Sequence, residues 1–151
     1  MRKKSKILVI HGPNLNLLGQ RDKDFYGELT LENINKLLMD KVKDRAQIEF
    51  FQSNHEGELI DNIQNTEADF IIINPGGLTH TSVSLRDSLE AKRIPFIEVH
   101  LSNIYSREPF RRKSLLSDVA LGVVCGFREY SYLFALEYAL RFLSEKDKNP
   151  S

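Results

Sequence analysis

Glu98 and His100 stand two residues apart at the end of the run Ile94-Pro-Phe-Ile-Glu-Val-His, and alternation along an extended strand puts both side chains on one face. A carboxylate there orients an imidazole and favours its protonated form, so the pair reads as a general acid with its orienter. The competing reading is a histidine beside a solvated glutamate. Just beyond lies Ser102-Asn-Ile-Tyr-Ser-Arg107-Glu-Pro-Phe-Arg111-Arg112-Lys113, dense in guanidinium groups. Beside a cleft, the planar forks of Arg107 and Arg111 suit a carboxylate or phosphate on a small substrate; otherwise they form a solvated face. A third set lies in the long polar segment from His11 to Glu28, where Gly19 and Gly27 bracket a stretch able to move as a lid. Within it a tyrosine, Tyr26, follows an arginine, Arg21. An unperturbed phenol titrates near about 10, and a nearby guanidinium favours the phenolate, which makes the pair a candidate general base. A tyrosine merely packed in a loop is the alternative.

The stretch that must position these groups is Phe70-Ile-Ile-Ile-Asn-Pro-Gly-Gly-Leu-Thr-His-Thr-Ser82. Its uninterrupted apolar start suits a strand buried on both faces at the centre of a parallel sheet. Asn74-Pro-Gly-Gly then breaks the strand, because proline lacks a donor and glycine admits unusual backbone angles. Thr79, Thr81 and Ser82 are good caps, so a helix N-terminus is expected here whose amides, with His80, would receive an anion or polar oxygens.

Around that centre the chain alternates. Strands are expected over Ile7–Ile10, Gln47–Gln52, Phe70–Ile73, Pro95–Val99 and Val119–Val124. Helices are expected from Thr30 to about Lys43, about Glu56 to Gln64, Ser82 to about Lys92, and Tyr130 to about Ser144. This predicts an α/β chain with a single catalytic domain over 1–151, a flavodoxin-like doubly wound sheet of five parallel strands flanked by helices, with flexible tails at about 1–5 and 145–151. Ligands in such sheets bind beyond the carboxyl ends of the strands. Those ends carry His11 to Asn14, Asn54, Asn74 to His80, and His100 to Ser102.

Composition narrows the classes. With 21 basic and 21 acidic residues among 151, the formal net charge is zero, and no whole-molecule field recruits nucleic acid or an anionic membrane. The apolar run after the basic start is too short for a signal-peptide core, no stretch is long enough to span a membrane, and the cytoplasm is the expected compartment. The single cysteine, Cys125, sits among Val123, Val124 and Gly126 and reads as a buried, inert thiol; no disulfide or thiolate metal site is expected. No Gly-x-x-x-x-Gly-Lys-Ser/Thr or Gly-x-Gly-x-x-Gly motif follows a strand, so no nucleotide cofactor is expected.

Three motifs together carry a resemblance. Gly12-Pro-Asn-Leu-Asn-Leu-Leu-Gly with Arg21 and Tyr26-Gly, Asn74-Pro-Gly-Gly-Leu-Thr-His-Thr-Ser with Leu85-Arg-Asp, and Ile97-Glu-Val-His-Leu-Ser-Asn with Arg107 and Phe110-Arg-Arg resemble type II 3-dehydroquinate dehydratase across nearly the whole chain. The resemblance implies a lyase of the shikimate pathway of aromatic amino acid biosynthesis. It would dehydrate 3-dehydroquinate to 3-dehydroshikimate by anti elimination through an enolate, without metal or organic cofactor, in a dodecamer of trimers. Carried over by motif, Tyr26 resembles the base, Arg21 the residue that keeps it reactive, His100 the acid, and Asn14 the residue holding a water against the enolate oxygen. Asn74, His80, Leu101, Ser102, Arg107 and Arg111 match the substrate-binding set, and Asp87 a residue reaching a neighbouring subunit's site. Phe127-Arg-Glu departs from the more glycine-rich turn expected there, which touches local geometry rather than the reaction. Two other classes remain open on residues alone: a flavodoxin-like flavin or nucleotide binding module, and a receiver-type regulatory domain, which lacks here its acidic cluster after the first strand.

Overall fold

The computed structural model describes residues 3–20 and 29–148. Five strands form one sheet: β1 (Lys6–His11), β2 (Gln47–Gln52), β3 (Phe70–Asn74), β4 (Phe96–His100) and β5 (Gly122–Cys125). They run in the order β2-β1-β3-β4-β5, and each pairing is parallel, which is the flavodoxin-like arrangement read from the sequence. Four α-helices flank it among the described residues: α1 (Leu31–Val42), α2 (Glu56–Asn65), α3 (Val83–Lys92) and α4 (Glu129–Lys148).

The apolar runs of β1, β3 and β4 are buried throughout because helices cover both faces. Alternation divides their side chains between two cores. Ile7, Val9, Phe70, Ile72, Ile97 and Val99 pack with α1 and α4. Leu8, Ile10, Ile71, Ile73 and Phe96 pack with α2 and α3. Each such side chain contributes about 1.5–3 kcal/mol of transfer free energy, so this double-faced packing holds the strand ends, and the site built on them, in place. Helix α1 starts at a reciprocal cap in which Thr30 Oγ1 accepts from the Asn33 amide and Asn33 Oδ1 accepts from the Thr30 amide, each at 3.1 Å.

Two boundaries differ from expectation. The fifth strand begins at Gly122 rather than Val119, because the Val119 and Ala120 amides both turn back to the Leu116 carbonyl, and Leu121 is the first residue to bond across to Phe96. The last helix extends to Lys148, so the expected frayed tail from 145 is helical over its first turn. Arg141 Nε bonds Glu145 Oε1 at 3.2 Å one turn on, and Lys146 and Lys148 suit the helix C-terminus. As expected, Ser82 opens the helix after β3: a 3-10 turn, Gly76–His80, follows the strand, and α3 starts at Val83 with the Ser82 hydroxyl capping the Leu85 amide at 2.9 Å.

The departure at Phe127-Arg128-Glu129 has a structural correlate. Arg128 takes φ 56°, the left-handed region where glycine is most at ease, and its amide bonds the Leu101 carbonyl at 3.0 Å. No helix among the described residues is long and apolar enough to cross a membrane.

Candidate active site

The carboxyl ends of β1, β3 and β4 open into a cleft of about 230 Å³, lined among others by Asn14, Asn74, His80, His100, Arg107 and Arg111. Leu101 and Ser102 also line it, as do Leu15, Leu18 and Ile104, which make one wall apolar. Two close backbone approaches shape its floor. A Cβ at Gly12 would lie 2.6 Å from the Pro75 carbonyl oxygen, and Gly76, at φ 60°, packs against the Pro13 carbonyl. The β1 and β3 turns are thereby pressed together, and the Gly12 amide donates to the Asn74 carbonyl at 2.7 Å.

Glu98 and His100 share one face of β4, and His100 Nε2 lies 2.5 Å from Glu98 Oε2. With Nε2 engaged, Nδ1 is the ring nitrogen left for a ligand in the cleft. Glu98 is buried and receives three hydroxyls as well: Thr79 at 2.8 Å, Ser114 at 2.9 Å and Ser117 at 2.7 Å. Burial by itself pushes this carboxyl up, but the bonds from His100, Ser117 and Thr79 outweigh it and hold Glu98 below the usual carboxylate range. An ionised Glu98 accepts at all four bonds, so the ring of donors and the charge support one another.

The other cleft groups are also held from behind. His80 Nδ1 donates to the Lys113 carbonyl at 2.7 Å, which leaves Nε2 for the cleft. Arg111 Nε meets Glu108 Oε2 at 3.1 Å, and Arg107 reaches the Ser102 hydroxyl at 3.5 Å. Asn14 adopts φ 73°, and its amide is fixed by Asn54 Oδ1 at 2.9 Å, itself steadied by Gln52 at 3.2 Å. Asn54 therefore supports the site without lining it.

Some expectations change. His11, grouped by sequence with the cleft residues, is fully buried behind the cleft, bonded to Tyr132 and Asn35. The helix N-terminus expected at Thr79–Ser82 does not present its amides to the cleft: the 3-10 turn intervenes, none of residues 81–85 lines the cleft, and the Leu85 amide is taken by the Ser82 hydroxyl. Asp87 is exposed on α3 and is not among the cleft-lining residues of its own chain. Tyr26 and Arg21, the expected base and its partner, lie outside the described residues. Nothing in their sequence spacing ties Thr79, Ser114 and Ser117 to Glu98. The only hint was three hydroxyl residues next to otherwise recognisable motifs. Among the described residues no group of three or more His, Cys, Asp or Glu could hold a metal ion. Cys125 is half-buried, and burial pushes its thiol up.

Comparison with known proteins agrees with this architecture. Residues 5–140 match the family described as dehydroquinase class II. A 3-dehydroquinate dehydratase of Polynucleobacter asymbioticus is 57% identical over 144 residues, covering 93% of this chain and 97% of its own. One from Acinetobacter baumannii is 52% identical over 149 residues, covering 96% and 99%. The crystal structure of type II dehydroquinase from Butyrivibrio crossotus superposes with a TM-score of 0.87 at 41% identity, covering 91% of this chain and 98% of that one. Its counterpart from Propionibacterium acnes gives 0.86 at 30% identity, covering 93% and 99%. With the family matched over most of its length and the relatives covered nearly end to end, the chain belongs to the class II dehydroquinases.

Proposed function

We propose that this chain is a 3-dehydroquinate dehydratase, a lyase that removes water from 3-dehydroquinate to give 3-dehydroshikimate in the shikimate pathway. The observation that carries the reading is the buried Glu98–His100 pair opening onto a small cleft that also holds Asn74, His80, Arg107 and Arg111. In the proposed sequence Tyr26, kept reactive by Arg21, takes the C2 proton, and the electrons left behind form an enolate. Asn14 holds a water against the enolate oxygen, stabilising charge that exists only between the two steps. The enolate then collapses to the C1–C2 double bond while His100 protonates the departing C1 hydroxyl, which leaves as water. Glu98 supports this by accepting from Nε2, so that Nδ1 is the nitrogen turned to the substrate.

Arg107 and Arg111 suit the substrate carboxylate as planar donors, while Asn74, His80, the Leu101-Ser102 backbone and the Ser102 hydroxyl suit its ring oxygens. No metal or organic cofactor has a part in the scheme. The reading extends to a cytoplasmic homo-oligomer, a dodecamer of trimers, in which Asp87 reaches a neighbouring subunit's cleft. Family membership does not favour the flavin or nucleotide module.

The test is direct. Added 3-dehydroquinate should yield the ultraviolet absorbance of a conjugated enone, with the rate unchanged by chelators. No absorbance gain at high enzyme concentration would sink the proposal, and a rate lost to chelation and restored by a divalent ion would sink its metal-free form.

A further inference from the structure

Behind the cleft lies a buried chain of side chains that the scheme above does not use. It runs from α1 through β1 and α4 to β3: Asn35, His11, Tyr132 and Asn74. His11 Nε2 is 2.8 Å from Asn35 Oδ1, and His11 Nδ1 is 2.8 Å from the Tyr132 hydroxyl. His11 and Asn74 are cross-strand neighbours in β1 and β3, and the Asn74 side chain acts on the Tyr132 hydroxyl as a donor, opposing the upward push of burial. His11 and Tyr132 are both fully buried, and Phe50 stacks on the imidazole with 5° between planes.

The donors along this chain have one self-consistent order. Asn35 Oδ1 only accepts, so His11 Nε2 carries the proton. A neutral ring then leaves a lone pair on Nδ1, so the Tyr132 hydroxyl spends its one proton there. Its oxygen can therefore only accept from Asn74, through the amide nitrogen. Asn74 Oδ1 is independently occupied by the Gly76 amide at 3.1 Å, which sets the same orientation. What remains of the Asn74 side chain for the cleft is its second N–H.

We propose that His11, Tyr132 and Asn35 are positioning residues that lock the Asn74 amide with an N–H toward the cleft, so that Asn74 selects an oxygen acceptor on the substrate. This rests on the reading of Asn74 as a substrate-binding residue of the dehydratase. The relay spans α1, β1, α4 and β3, so it also ties the helix that follows the Arg21–Tyr26 segment to the substrate-contacting end of β3.

Nitrogen NMR of the His11 ring and a short variant series test it. The wild-type spectrum near neutral pH should show the proton on Nε2 and a bare Nδ1; a ring protonated on Nδ1 overturns the order of donors. Tyr132→Phe leaves the Asn74 amide held only through the Gly76 amide and should lower kcat/KM about tenfold, mainly through KM, the equivalent of one lost hydrogen bond at about 1.4 kcal/mol. His11→Leu should do the same. His11→Gln should restore near wild-type KM, because the carboxamide accepts from Tyr132 and donates to Asn35. Wild-type kinetic constants in folded Tyr132→Phe and His11→Leu would reduce the relay to packing and overturn the proposal. If Tyr132→Phe does not fold, the Gln and Leu variants at position 11 decide: equal KM values overturn it. A wild type that leaves 3-dehydroquinate unchanged overturns the dehydratase reading alone, since the imidazole spectrum needs no substrate.

Discussion

The Glu98 carboxylate and the His100 imidazole are joined by a 2.5 Å bond, and both side chains are withdrawn from solvent at the base of the cleft. Replacing the carboxylate by an amide of the same shape removes the charge but not the volume. Glu98→Gln puts an N–H donor among four donors, so it should fold with some loss of stability, lose about 10²-fold in kcat, the lower range for general acid catalysis, and change KM little. A kcat within threefold of wild type would mean that Glu98 is only a packed acid satisfied by Thr79, Ser114 and Ser117.

The close approach of Gly12 to Pro75 offers a test on stability. A methyl at Gly12 meets backbone atoms of Pro75 at 2.6 and 2.7 Å, which cannot rotate away. Gly12→Ala should cost about 1–3 kcal/mol, in the range of an overpacked core site, and should lower turnover by moving the Asn74 turn. Gly57→Ala is the control. It lies within α2 with nothing inside 4 Å of the new methyl, and helix propensity favours alanine there by up to about 1 kcal/mol. Equal denaturation midpoints for the two variants would refute the role given to the Gly12–Pro75 contact.

Much of this was legible in the chain because periodicity reports on faces. The apolar run at Phe70 and the two-residue spacing of Glu98 and His100 place residues without knowledge of the fold's details. The hydroxyls around Glu98 were not legible in this way. Thr79, Ser114 and Ser117 lie 19, 16 and 19 residues from it, at spacings that no secondary structure relates. His11 and Tyr132 are 121 residues apart, so β1 offers no sign that its last residue turns away from the cleft toward α4. The apolar pattern overstates the fifth strand because Val119 and Ala120 are apolar in a turn, where the Leu116 carbonyl rather than hydrophobicity decides the backbone.

Burial of His11 makes stability depend on pH. Desolvation pushes its pKa down from 6.5 to about 4, only partly opposed by the bond to Asn35. The groups that face it are Tyr132, Asn35 and Phe50, and burial pushes the Tyr132 phenol up, so that it stays neutral throughout. Between about 4 and 6.5 the unfolded chain binds a proton that the folded chain refuses, so stability falls as pH drops through that window and is unaffected by His11 above it. The loss between pH 7 and pH 5 should be about 2 kcal/mol by linkage. Guanidinium titrations at the two pH values measure it, and His11→Gln should abolish this part. An identical pH dependence in that variant would show that other groups are responsible. Glu98 acts lower down. Its depressed carboxyl contributes stability that is fully present above the ordinary value of 4.5 and is lost as pH falls through the lower folded value.

Tyr26 is the proposed base, and Tyr26→Phe deletes only the hydroxyl. Turnover should fall by at least about 10²-fold, the usual loss for a general base, with substrate still bound. Arg21→Ala should also depress kcat strongly. His100→Ala separates the steps: dehydration should be lost while exchange of the C2 proton with deuterated solvent persists, because the base survives. A Tyr26→Phe enzyme retaining more than a tenth of wild-type turnover would exclude the phenol as base.

Asp87 tests whether the active site is shared. It is exposed on α3, one residue after Arg86, whose guanidinium is already engaged by Asp118, Glu90 and the Leu115 carbonyl. Adjacent residues on a helix do not face one another, so an ion pair between Arg86 and Asp87 does not account for the acid. In a closed trimer with one repeated heterologous interface, the same acid would be delivered to every cleft. Asp87→Ala should then leave the unfolding of the isolated chain unchanged and raise KM or weaken assembly. Mixing Asp87→Ala chains with Tyr26→Phe chains should regenerate active sites in which an intact base and an intact acid come from different subunits. Light scattering that finds a fully active monomer at assay concentration, or mixtures no more active than the sum of their parts, would place Asp87 outside the site.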